Sequence, residues 1–531
     1  MAVLLSLSWI AIGYFPAVNI EGDSALFSAG CERLAANSLQ LPPDYFYMWD
    51  MQPLVGFMVA ALKHVVPVCS CEHLYVILSL IAAILYLFAA SMFLSKLCAL
   101  RWEYCYFVLL LFPESYSIGY YPNTTIFASL MFITGLNCML NKPFSFCSMI
   151  SLALAPLLRI DILLLYPLVF LLLWYSYNIR TAIKYSVIYA VSLCAILLFG
   201  FWLLRTNPLL TWSQYSTLAG LRASQFSVES FVRINISYYS VISIVLIVTG
   251  TTLLVKQHSF RLLMIAFFPI AAFYIINRDF TGAGAKHLQY ILPFLSFLCL
   301  VAVKHLLIHR KTVKRYVFAL LGLLILSQAV LGVRFYPASK PWVSDCSSQI
   351  HPRPTIASLL SFPVGRFGRI ELALGAGMVI PTADELMLVS GYLYTPLYWH
   401  SVKTEVSEER DAVRDIILSS VTNDTLYVMT TVGSDWALSQ QLHGLGYEIE
   451  SLDQGGINPS FDSRYWYRFG DQRILVTCIT TERSVESFNA AYDLIGHRPL
   501  YVIVEYDWQR YYVNERLTDA IPLSTNVSIV Y

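Results

Sequence analysis

Two hydrophobic rhythms divide this chain. Up to about residue 333, apolar residues form long runs broken by short polar pieces; beyond it, apolar and polar positions alternate in short stretches. A membrane-crossing helix needs about 20 mostly apolar residues. About eleven runs approach that length, near 2–19, 74–95, 103–119, 122–140, 144–160, 162–177, 183–204, 236–255, 261–277, 288–306 and 316–333. The first lacks a basic leader and a small-residue cleavage site, so it reads as a span and not as a signal peptide. The stretch from Val55 to Val66 is apolar but too short to cross, and fits a re-entrant or interface-lying helix. The pattern predicts an α-helical polytopic membrane region over 1–333, with a first external loop at 20–73, and a soluble α/β domain over 334–531.

In that second region Thr425–Thr430, Tyr447–Leu452, Arg473–Ile479 and Leu500–Glu505 read as strands. Trp436–Leu445 and Ser484–Ile495 read as helices. Strands alternating with helices argue for α/β layers. No glycine-rich phosphate loop and no hydrolase elbow is present, so an acceptor-binding, partner-binding or capping role is expected of this part.

Composition sharpens the membrane assignment. Of 531 residues, 57% are hydrophobic and 13% charged, where a soluble domain carries roughly a quarter charged. Mean hydropathy is +0.60. A net charge of +1 leaves no basic face, which removes nucleic acid as a partner and leaves membrane lipids. The 11 cysteines include no C-x-x-C pair, and most sit inside apolar runs, where cysteine behaves as a small hydrophobe.

Lys and Arg set the orientation, because they accumulate in cytoplasmic loops. With the N-terminus inside, every inner loop carries a cation: Lys96 and Arg101, Lys142, Arg180 and Lys184, Lys256 and Arg261, then Lys304 with Arg310, Lys311, Lys314 and Arg315. The C-terminal domain then lies outside the cytoplasm. All four N-x-[ST] sequons, at Asn123, Asn235, Asn423 and Asn526, fall on that same side.

Three outer loops, 20–73, 205–235 and 277–287, hold ionisable residues beside apolar runs, where charge is costly and marks function. Glu21 and Asp23 stand where the first span ends, and helix capping is the plainer account of both. An amphipathic stretch from Ala25 to Leu39 follows, then Pro42-Pro43, then the aromatic run from Tyr45 that contains Asp50.

That order resembles the first external loop of the C-type (GT-C) polytopic glycosyltransferase superfamily, which includes polyprenyl-phosphate-mannose mannosyltransferases and aminoarabinose transferases. Asp23-Ser24-Ala25-Leu26-Phe27 is similar to an Asp-Glu-Ala-x-Tyr element, and Asp50-Met51-Gln52-Pro53-Leu54 to an Asp-x-x-x-Pro-Leu element. Ser24 replaces a usual Glu, and Gln52 stands where Lys or His often precedes the proline. The resemblance continues through Tyr121-Pro122-Asn123-Thr124-Thr125, Arg159-Ile160-Asp161, and the segment from Gly284 through Lys286, His287 and Tyr290 to Pro293.

The resemblance implies an inverting transfer of a hexosyl or pentosyl unit. The donor is a polyprenyl-phosphate sugar, and the acceptor a glycan, lipid or protein on the non-cytoplasmic face. Such a transfer displaces phosphate at an anomeric carbon through an oxocarbenium-like transition state. It needs a carboxylate to take the acceptor's proton and cations to meet the leaving phosphate. Asp23 is the expected base, which the resemblance also implies, with Glu21 or Asp50 as helper. Lys286, His287 and Arg278 are the expected phosphate clamp, with Arg159 and Arg222 as further cations. For Arg159 the alternative is an internal ion pair with Asp161, since charges inside membranes usually pair.

No cofactor is certain; a magnesium or manganese ion held by the carboxylates is compatible with this set. The expected location is a bacterial inner membrane, with the endoplasmic reticulum membrane as alternative. The rival classes are a transporter or flippase, a lipid-linked glycan polymerase or ligase, and a non-catalytic scaffold.

Overall fold

The structure, a computed structural model, describes residues 53–112, 124–203, 241–276 and 288–309, with positions 31, 34, 35, 39, 115 and 316. Beyond 330 it describes the strands below, residues 415–420, and a few adjoining positions. Ten α-helices are described. They are α1 (Pro53–Val65), α2 (Cys71–Cys98), α3 (Trp102–Leu109), α4 (Thr125–Asn141), α5 (Phe146–Leu158), α6 (Pro167–Ser176), α7 (Ile179–Leu203), α8 (Val241–Lys256), α9 (Phe260–Ile276) and α10 (Leu292–His309). Two 3₁₀ segments, Ile160–Leu165 and Leu288–Tyr290, interrupt the helical course.

Local chemistry sets several boundaries. Ser70 caps α2 by accepting from the His73 N–H, and its Oγ lies 2.6 Å from His73 Nδ1. Ser145 and Ser148 form a reciprocal capping box at α5. Pro167 opens α6, where its missing N–H costs nothing. The amphipathic stretch from Ala25 to Leu39 is helical at Cys31, Leu34 and Ala35, all buried, and turns at Leu39, whose φ is 64°.

Among the described residues, His73–Cys98 and Ile179–Leu203 are long and apolar enough to cross a membrane. Helix α7 is no soluble-core helix, because Ile183, Val187, Val191, Leu198, Phe199 and Trp202 are all exposed along it. An apolar stripe of that length faces lipid, not water. The chain is an integral membrane protein on that ground.

The expected spans are corrected in three places. The run near 103–119 is helical over Trp102–Leu109, turns at 110–112 and is helical again at Ser115 among the described residues. The runs near 144–160 and 162–177 become a 13-residue helix, the 3₁₀ segment and a 10-residue helix. The break falls at Arg159, whose backbone is extended and whose side chain pairs with Asp161. The run near 316–333 meets a strand, β1 (Leu331–Pro337), which crosses the expected boundary at 333. Apolar content alone does not separate a short buried strand from a helix end.

The helices pack closely where glycine allows. A Cβ on Gly250 of α8 would collide with the Leu298 carbonyl oxygen of α10, so the two backbones touch there. Gly135 of α4 gives the same room to Leu152 of α5.

Beyond β1 lie β2 (Ala357–Pro363), β3 (Gly368–Leu374), β4 (Leu426–Thr431), β5 (Glu448–Gln454), β6 (Ser463–Phe469), β7 (Gln472–Ile479), β8 (Leu500–Ile503), β9 (Ile521–Pro522) and β10 (Val527–Val530). The first three form an antiparallel sheet in the order β1-β3-β2. The rest form a sheet in the order β5-β6-β7-β4-β8-β10-β9, in which β4 runs parallel to both β7 and β8. Ile417, Leu438 and Leu442, at helical positions, pack with Val428, Ile474 and Ile503 of that sheet. The strands expected at Thr425–Thr430, Tyr447–Leu452, Arg473–Ile479 and Leu500–Glu505 correspond to β4, β5, β7 and β8. The expected helix Ser484–Ile495 lies outside the described residues.

Candidate functional site

The bundle has two chemically different ends. At one, cations cap the last turns of neighbouring helices. Lys304 Nζ donates to the Cys98 carbonyl at 2.6 Å, Lys96 Nζ to Asn137 at 2.9 Å, and Arg261 Nη1 to Trp174 at 3.2 Å. C-terminal helix carbonyls carry partial negative charge and lack intrahelical donors, which is why Lys and Arg gather there. Arg261 also lies over the Trp174 ring at 5.0 Å.

At the other end of α4 and α10, polar side chains bond to one another. Arg159 Nε donates to Asp161 Oδ2 at 2.8 Å and Oδ1 at 3.0 Å. Arg159 Nη1 approaches Thr124 Oγ1 at 3.4 Å. The Tyr290 hydroxyl donates to Asp161 Oδ1 at 2.6 Å. The Arg159 and Asp161 side chains are only 11% and 9% exposed. Next to Tyr290, Gln289 accepts a hydrogen bond from the Tyr86 hydroxyl through its backbone carbonyl. Its side-chain Oε1 is buried and has no partner among the described residues.

Three separate chain segments therefore meet in one buried polar cluster: the start of α4, the break after α5, and the entry to α10. At 1.5 Å per helical residue, Tyr290 stands about 21 Å along α10 from Lys304. Against a hydrocarbon layer of about 30 Å, the cluster lies near the edge opposite the cationic end. Non-helical backbone at that depth is tolerated only when enclosed by protein or lining a cavity. The 3₁₀ segments meet that condition: Ile160, Asp161 and Ile162 are buried, as are Leu288, Gln289 and Tyr290.

Of the expected site residues, Arg159 is described, and it is paired with Asp161, as the alternative for it held. Asp23, Glu21, Asp50, Arg222, Arg278, Lys286 and His287 lie outside the described residues. Several elements that flank them are described, and these pack on the Ile160–Leu165 segment. Leu54, four residues after Asp50, packs beside Ile160, as does Phe201 near the end of α7, which leads toward Arg222. Helix α9, which leads toward Arg278, packs against Ile160–Leu165. Lys286 and His287 directly precede the Leu288–Tyr290 segment.

The sequence reading placed Tyr290 and Thr124 inside quoted segments without giving either a role. The Tyr-Ile-Leu-Pro run after two cations was the available signal for Tyr290. Among the described residues no group of three His, Cys, Asp or Glu side chains could hold a metal ion. The three acids considered for magnesium or manganese are not among those described.

No protein-family model matches the chain, and no curated protein matches it. Solved structures similar to it include ArnT from Cupriavidus metallidurans bound to undecaprenyl phosphate, with 9% identity and a TM-score of 0.45 over 100% of this chain and 97% of that one. The apo state of the same protein gives 12% identity and a TM-score of 0.44 over 99% and 97%.

Proposed function

We propose that this protein is a C-type glycosyltransferase that moves a hexosyl or pentosyl unit from a polyprenyl-phosphate-linked donor to an acceptor on the non-cytoplasmic face of a membrane, a bacterial inner membrane in the first instance. In the proposed step the Asp23 carboxylate takes the acceptor's hydroxyl proton. The acceptor oxygen bonds to the anomeric carbon from the face opposite the leaving group. The bond from that carbon to the phosphate oxygen breaks, and polyprenyl phosphate departs with the electron pair. A single displacement of this kind inverts the anomeric centre. Lys286, His287 and Arg278 meet the charge that grows on the phosphate, Arg222 extends that cationic surface, and Glu21 or Asp50 positions the acceptor.

The observation that carries this reading is the buried cluster of Thr124, Arg159, Asp161 and Tyr290. Three of the segments that resemble the superfamily contribute to it, although they are far apart in sequence. Leu54, from a fourth, packs against Ile160 at its edge. A bonded charge pair at this depth marks a functional site more often than a structural accident.

The test is Asp23→Asn in the full-length chain. Sugar transfer is expected to fall by about a thousandfold or more, with membrane insertion and yield unchanged. Transfer at the wild-type rate would remove Asp23 as base and point to Glu21 in its place.

A further inference from the structure

Asp161 does more than neutralise one cation. Its carboxylate receives one bifurcated bond from the Arg159 Nε–H, shared by both oxygens, and one bond from the Tyr290 hydroxyl. It thereby joins the break after α5 to the 3₁₀ segment that opens α10, 129 residues further along the chain. The positive charge of Arg159 is matched by Asp161 within the bundle. An unpaired acid or cation at this burial is strongly disfavoured, so each of the two charged groups depends on the other for its position.

We infer that Asp161 is a positioning residue that holds Arg159 and the Leu288–Tyr290 segment as one unit at the donor-phosphate side of the site. The inference rests on the proposed function, because it concerns the phosphate side of that same site. Asp161 itself does not touch donor or acceptor in this account. It fixes the guanidinium in a single rotamer and ties down the segment that directly follows Lys286 and His287. The Thr124 hydroxyl, against Arg159 Nη1, supports the same guanidinium from α4.

The test uses the purified full-length chain in lipid nanodiscs, with a polyprenyl monophosphate as probe and its dissociation constant as readout. Asp161→Asn keeps the shape and removes the charge; Tyr290→Phe keeps the ring and removes the hydroxyl. Each is expected to weaken binding about tenfold. The double variant should be no weaker than the poorer single, because groups acting as a unit are not additive. Asp161→Glu, which restores the charge, should recover part of the binding.

Thermal midpoints measured alongside separate positioning from mere folding. A purely structural Asp161 would lower the midpoint and leave the dissociation constant of the folded protein unchanged, which would overturn the inference. So would additive losses in the double variant, because Tyr290 would then act on the lipid without Asp161. A wild-type chain that fails to bind polyprenyl phosphate defeats the proposed function itself, before any variant is compared.

Discussion

The charges that bridge neighbouring helices bond differently at the two ends of the bundle. At the end of Lys96, Arg261 and Lys304, each cation reaches a backbone carbonyl in the last turns of a neighbouring helix. Water or lipid headgroups can replace most of what each bond supplies. At the other end Arg159, Asp161, Tyr290 and Thr124 bond side chain to side chain, and the ion pair is nearly enclosed. The first arrangement anchors and orients a membrane protein. The second confines charge where it is expensive to hold.

That contrast sets the sizes of the expected effects. Arg159→Ala leaves Asp161 charged and unpaired, and should cost about 3–5 kcal/mol, seen as a large drop in thermal midpoint or in folded yield. A drop comparable to that of a surface lysine variant would mean that water reaches Asp161. Lys304→Ala, at the partly buried Cys98 carbonyl, should cost about 1–2 kcal/mol by the same assay. Lys96→Ala removes an exposed bond to Asn137 and should cost less than about 1 kcal/mol. If Lys96 proved as costly as Arg159, the two ends would not differ in kind.

Much of the helical half was legible in the sequence, because membrane helices are written in long apolar runs. The short helix α1, the buried helical positions Cys31, Leu34 and Ala35, and α2 and α7 follow directly from that pattern. What hydropathy could not give is where a run stops being helical. The gap expected between the runs near 144–160 and 162–177 falls beside Arg159, but the 3₁₀ segment that follows it was not legible. The tail of the last expected span became β1, since Leu331 to Pro337 is apolar enough for either state and pairs with β3.

In the C-terminal part, β6 was missed although a signal existed. Gly470 and Asp471 form the two-residue loop of a hairpin in which Phe469 pairs with Gln472, and Gly470 has a φ of 58°. Its Trp466 carries the Arg473 guanidinium of β7 at 4.5 Å, a cross-strand contact that no single-strand pattern displays. The site was legible as a set of segments and not as a geometry. Thr124, Arg159 and Tyr290 were each quoted in their own stretch, but nothing in the sequence joins residues so far apart.

The most direct test of the account maps where the lipid phosphate sits. A photoactivatable polyprenyl phosphate would be cross-linked to the full-length protein in membranes, and the labelled peptides identified by mass spectrometry. Labelling is predicted in the peptides around Leu54, Thr124, Arg159 and the Lys286–Tyr290 stretch. Labelling confined to peptides around Lys96, Arg261 and Lys304 would contradict it, because the phosphate would then lie at the anchoring end of the bundle.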